Sequence, residues 1–182
     1  SSPNGMWKRW RLMNDAVQRA GRVAVAQLGA RRHYAVPLAF WREGLLEHFF
    51  TDIYLKGIWP SIVNCVGHIL PVPGIRRLAG RTHEQLPTGK VTSVWPVGTM
   101  RKLHGSGDDR MEHWVAAGQD FCQKILSLGL GGADAVYAFS SAAKELLLHC
   151  RENGLTGILD HATAPQKAEL KLVREEIGRA HV

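Results

Sequence analysis

Arg31, Arg32, His33 and Tyr34 follow directly on Gly29-Ala30, and no other run in the chain carries as much functional chemistry. Two adjacent guanidiniums near a helix start can grip a phosphate or carboxylate bidentately, and an imidazole beside them can donate or transfer a proton near neutrality. The plainer reading is one solvated arginine and one paired with an acid. Ser140-Ser141 and Asp160-His161 are the other candidates, each pair at the end of an apolar run. Ser140 and Ser141 are potential nucleophiles or, as structure, helix caps. His161 is a proton carrier or an idle loop histidine.

Several reaction classes are excluded by spacing. A dinucleotide cradle needs G-x-G-x-x-G after the first strand so that backbone can approach a pyrophosphate, and Gly29-Ala30-Arg31 does not supply it. A phosphate loop needs G-x-x-x-x-G-K-[ST] opening a helix, whereas Gly89-Lys90-Val91 opens a strand and lacks the hydroxyl. Phe139-Ser140-Ser141-Ala142 has the location of a hydrolase nucleophile without its flanking glycines. The nine histidines include no H-E-x-x-H pair, and His149 beside Cys150 is adjacent rather than face-sharing. The expectation is therefore a protein with no cofactor and no metal.

The elements that must position these residues alternate. Val23 to Leu28 is a nearly continuous apolar run, as in a strand buried on both faces, and Gly29 lets the chain turn tightly after it. A helix from about Tyr34 to Arg42 and a strand from Phe49 to Tyr54 complete a βαβ unit. Val91 to Val97 is a third strand. Asp108 and Asp109 open a long helix whose buried stripe is Met111, Trp114, Val115, Gly118, Phe121, Cys122 and Ile125. Gly129, Gly131 and Gly132 stop it. Asp134 to Phe139 is a fourth strand, Ser140 or Ser141 caps a helix to Glu152, and Gly154 ends that helix. Thr156 to Asp160 is a fifth strand, and Thr163, Pro165 and Gln166 start a charged helix to about Arg179.

Five strands alternating with helices predict an α/β fold: one Rossmann-like, doubly wound, mostly parallel sheet of order 3-2-1-4-5. The carboxyl ends of strands one, four and five then converge, bringing Gly29 to Tyr34, Ser140 to Ser141 and Asp160 to Thr163 to one cleft. Residues 1–21 read as a basic, aromatic arm and residues 22–182 as the domain, with a helical insert over about 55–90 that is rich in proline and glycine. Within the insert, Ile58 to Ile75 is apolar but broken and is followed by Arg76, Arg77 and Arg81. It reads either as a cover for the sheet or as an interfacial loop laying Trp59, Ile62 and Leu70 into a bilayer with arginines at the headgroups.

The 182 residues suit one domain, and the formal charge of +7 implies an anionic partner. The basic residues are spread along the chain, with no RNA-reading signature or Cys/His finger spacing, which argues against nucleic acid. Cys65, Cys122 and Cys150 are an odd number at wide spacing, which points to a reducing compartment and a cytoplasmic protein rather than a disulfide framework.

Three segments together resemble a known family: QLGARRHYAVP after the first strand, ADAVYAFSSAAKELL over the fourth strand and its helix, and GLTGILDHATAP into the last. They look like the N-terminal half of a family 4 glycosyltransferase, a retaining enzyme of the GT-B fold. The resemblance implies an acceptor-binding domain that faces a second domain holding a nucleotide-sugar donor. It also implies a glycine-containing first loop bordering the cleft, here Gly29, Ala30, Arg31, Arg32, His33 and Tyr34, with Ser140, Ser141 and His161 on the opposite wall. Many members place a histidine after the fourth strand, where this chain has Ser140 and Ser141. The chain stops before a donor domain could begin, so it is expected to bind a sugar or lipid-linked acceptor and not to turn over alone. Such enzymes generally need no bound metal, and the basic charge would suit peripheral membrane attachment. Two other readings stay open: a free-standing flavodoxin-like binding or regulatory module, and a membrane-surface adaptor.

Overall fold

The computed structural model describes residues 21–59, 62–63, 65, 78, 80–94, 109–140 and 142–161. The predicted arm, but for Gly21, lies outside them, as do Ser141, the helix predicted after Thr163 and much of the insert. The elements in chain order are β1 (Val23–Gln27), α1 (Ala35–Arg42), β2 (Leu46–Thr51), β3 (Val91–Ser93), α2 (Asp109–Leu128), β4 (Ala135–Phe139), α3 (Lys144–Glu152) and β5 (Thr156–Asp160). Short 3-10 turns precede α1 and β3. The strands form one sheet of order β3-β2-β1-β4-β5, and every pairing is parallel, as the alternation of elements predicts.

β1 is buried at all five positions, and its side chains alternate between two cores. Val23 and Val25 join Leu38 and Phe40 of α1 together with Phe49 and Tyr137. Ala24 and Ala26 face the other way, in a cluster with Phe121 and Ile125 of α2 and Leu146 of α3. Alanines there let the helix side chains seat close to the sheet, and each large side chain so buried contributes about 1.5–3 kcal/mol. Gly129, at φ +83, ends α2 in the left-handed conformation that suits glycine, its N–H donating to Ile125 O at 3.0 Å.

Four local expectations are corrected. The second strand begins at Leu46 rather than Phe49 and ends at Thr51, because Leu46 already pairs with Val23 and Asp52 leaves the ladder for the turn after β1. The third strand is short, Val91–Ser93, with Val94 beyond it and 95–97 outside the described residues. Trp114 and Val115, expected in the buried stripe of α2, are both 54% exposed. A helix of this length spans about 30 Å, against about 17 Å for a five-residue strand, so its first turns overhang the sheet edge while Phe121, Cys122 and Ile125 reach the core. Finally, Ser140 does not cap α3: Ala143 holds the N-cap position, without a side-chain hydrogen bond.

Cys122 and Cys150 are buried free thiols and Cys65 is exposed. Among the described residues no helix is long and apolar enough to cross a membrane.

Candidate functional site at the carboxyl edge of the sheet

All five strands end along the same edge, and the chain winds one way from β1 to β2 and β3 and the other way from β4 to β5. The crevice above β1 and β4 is therefore the switch point at which open α/β sheets hold ligands. The turn after β1 is built into it from below. Gly29 adopts φ +80, its N–H donates to Asp52 Oδ1 at 3.0 Å, and its carbonyl accepts from Gln27 Nε2 at 2.8 Å. Arg81 reaches in from the far end of the insert and places Nη1 at 2.7 Å from Asp52 Oδ1 and 2.9 Å from Oδ2.

Three consecutive non-glycine residues then take the left-handed conformation: Arg32 at φ +50, His33 at φ +48 and Tyr34 at φ +60. For an L-residue this costs about 1–2 kcal/mol each, so the surroundings must hold it. Tyr34 supplies most of the hold. Its ring is 1% exposed and meets Phe49 and Tyr54 edge-on, both at 5.5 Å between centroids. The phenol is pushed up to about 12 by burial, a shift that the Arg81 guanidinium opposes. Drawing Tyr34 into the core turns the backbone so that Arg32 and His33 face solvent.

The opposite wall is the end of β5. Asp160 Oδ2 accepts from Tyr137 OH at 3.0 Å, and Arg32 Nη1 stands 3.8 Å from the same oxygen. Burial chiefly, and then the hydrogen bond to Asp160, raises the Tyr137 phenol well above its ordinary value. The backbone carbonyl of Asp160 accepts from Ser140 N at 3.0 Å, tying the ends of β4 and β5 together. Ser140 itself is exposed and lines a hollow of about 180 Å³ with Val115, Gly118, Ala143 and Lys144, under the overhang of α2.

The residues singled out by sequence are thus separated by the fold. Gly29, Arg32 and His33 lie at the crevice, with Asp160 facing Arg32. Ala30 packs against the core, its carbonyl accepting from His33 N at 3.3 Å. Arg31 belongs to the turn by its backbone. Tyr34 is a core residue, Ser140 borders the neighbouring hollow, and His161 is exposed just past β5. Asp52, Arg81 and Tyr137 were not anticipated as site residues. Asp52 had a readable signal, an acid where a parallel strand ends. Arg81, from a stretch read either as a cover for the sheet or as an interfacial loop, had none. Among the described residues no group of three or more histidines, cysteines or acids is arranged to hold a metal. What the edge offers is an exposed guanidinium backed by a hydrogen-bonded carboxylate, a pairing suited to hydroxyls or an anionic group.

No family model matches the chain, and neither the curated proteins nor the solved structures include a significant match.

Proposed function

We propose that this chain is the acceptor-binding domain of a glycosyltransferase that moves a sugar from a nucleotide-sugar donor, held by a second domain, to a hydroxyl acceptor. The observation that carries the reading is the run Arg32-His33-Tyr34 in left-handed backbone at the switch point of a parallel sheet, with Arg32 facing Asp160. Conformational strain of this kind persists where the surroundings over-determine it, and it concentrates at ligand sites. Each of the three segments that resemble family 4 glycosyltransferases includes the carboxyl end of a strand, at Gln27, Phe139 and Asp160. In this role Arg32 donates to acceptor oxygens, Asp160 accepts from an acceptor hydroxyl while Tyr137 orients it, and His33 borders the entrance.

The test is capture of immobilised oligosaccharides and lipid-linked sugars by wild type and by Arg32→Ala. Loss of one charge-assisted hydrogen bond is expected to weaken capture by about tenfold or more. Unchanged capture, or none by the wild type, would overturn the assignment. Extending the reading frame through its next α/β unit and assaying sugar transfer tests the catalytic half of the proposal separately.

A further inference from the structure

β5 closes one side of the sheet, and among the described residues no strand pairs beyond it. Thr156 N donates to Asp134 O and Asp160 O accepts from Ser140 N, both at 3.0 Å, so these two residues turn their backbone groups toward β4. Alternation along the strand points the N–H and C=O of Gly157 and Leu159 the other way, off the sheet. The edge is open: Thr156 and Gly157 are exposed, and Leu159 is 47% exposed. The strand also lacks the devices that usually blunt an edge. It holds no proline or lysine, its register with β4 is unbroken, and its one acid, Asp160, is engaged by Tyr137 and Arg32.

α3 lies directly over this strand. A Cβ on Gly157 would stand 2.7 Å from Leu147 Cδ2 and 3.6 Å from Cys150 Cβ, so glycine lets the helix settle on the edge with those two residues facing down. Leu146, on their inner side, is buried in the core. Successive helical residues turn by about 100°, which aims Lys144 and Arg151, two turns apart on one face, outward above the open edge. Both are exposed, and neither joins an ion pair among the described residues. The acids of α3 turn elsewhere. Glu145 lies against Cys122 of α2, and Glu152 is rotated by about 100° from Arg151.

We infer that the edge of β5 takes up an extended acidic segment of another protein as a sixth strand, which pairs with Gly157 and Leu159 and sets its carboxylates beneath Lys144 and Arg151. In strand addition the main chain supplies affinity and alternate side chains supply specificity. Every second residue of the added strand faces α3, at a spacing of about 7 Å. The two cations stand about 10 Å apart along the helix, a mismatch that their long flexible stems absorb. Exposed Leu159 offers the same face an apolar contact. Charge selects the occupant. A second copy pairing edge to edge across a two-fold axis would bring the same patch against itself, cations facing cations, whereas an acidic strand neutralises them. Docking of this kind is independent of sugar transfer, and either can fail without the other.

Fluorescence anisotropy with two dye-labelled heptapeptides, one alternating glutamate with valine and the other lysine with valine, tests it. Wild type is expected to bind the glutamate peptide and to discriminate against the lysine peptide. The double variant K144E/R151E is expected to lose about tenfold of the affinity for the glutamate peptide while melting like the wild type, because both altered side chains are exposed. A second measurement, on the wild type alone, covers a variant that folds poorly. Saturation with the glutamate peptide should slow hydrogen exchange at the Gly157 and Leu159 amides, and the same peptide N-methylated at alternate residues should not. Absence of binding, equal binding of the two peptides, undiminished binding by the double variant, or unchanged exchange at those two amides would each overturn the proposal. So would a concentration-dependent dimer that protects the same amides without peptide.

Discussion

Arg81 Nη1 lies 2.7 Å from Asp52 Oδ1, the same oxygen that receives the N–H of Gly29 at 3.0 Å. One carboxylate thereby joins the turn after β1 to the far end of the insert, and both partners of the ion pair are mostly shielded, at 23% and 18% side-chain exposure. Shielding lets the pair hold geometry that an exposed pair would not.

Arg81→Ala is accordingly expected to lower stability by about 1–2 kcal/mol, through the unpaired Asp52 carboxylate, with the sheet intact by circular dichroism. Arg32→Ala should cost under about 1 kcal/mol, since Arg32 is 64% exposed and stands 3.8 Å from Asp160. Urea midpoints of the two variants compare them directly, and equal midpoints would show that the Asp52 node carries no structural weight.

Strain in the turn gives an unusual glycine prediction. At an ordinary exposed position, substitution to glycine costs about 0.5–1 kcal/mol. At His33, with φ +48, relief of left-handed strain offsets that cost, and His33→Gly should leave stability within about 1 kcal/mol of wild type on the favourable side. A loss larger than that in denaturant unfolding contradicts the strain argument. Gly29→Ala should be destabilising despite open space, because its φ of +80 strains any side chain while the nearest neighbour of an added Cβ is Arg81 Nη1 at 3.9 Å.

Alkali should unfold the domain in two overlapping steps. Burial raises the Cys122 thiol from 9.0 to about 12, with nearby Glu145 adding to the shift, and burial raises the Tyr34 phenol from 10.0 to about 12. Both pKa values are higher in the folded state, so the stability they contribute is complete below the unfolded values and is lost as pH climbs from 9.0 through about 12. The limiting slope is about 1.4 kcal/mol per pH unit for each group. Urea titrations across that window should show the fall, and Cys122→Ala should remove its first part. An unaltered slope in that variant would refute the assignment.

On the acid side His48 has the opposite sign. Burial first, then the charges of Lys90 and Lys56, lowers its pKa from 6.5, and the ring shares a hydrogen bond with Thr92 Oγ1 at 2.7 Å. A histidine depressed in the folded state contributes stability above its unfolded pKa and loses it as pH falls below 6.5. His48→Gln should flatten that acid limb. An NMR titration of the imidazole that gives an unshifted pKa would rule the effect out.

Fold class and strand order were legible in the chain because strand and helix periods differ. Apolar runs at Val23, Ala135 and Thr156, each followed by turn residues and then a helical pattern, admit essentially one parallel arrangement. The same patterning misjudged Trp114 and Val115, because periodicity reports which face of α2 is apolar and not how far the helix outruns the sheet. Local propensity likewise offered Ser140 as a cap. The fold instead uses its backbone to join β4 to β5 through Asp160.

By itself, then, the sequence determined a five-stranded parallel α/β sheet and marked the turn from Gly29 to Tyr34 at its carboxyl edge. Tertiary structure alone decided which of those residues face the crevice and what supports them. Arg32 meets Asp160 across 128 positions and Arg81 meets Asp52 across 29. Tyr34 gives up the crevice for a core of Phe49 and Tyr54. Such pairings depend on where separate strands end in space, a relation that the spacing of residues along one chain does not encode.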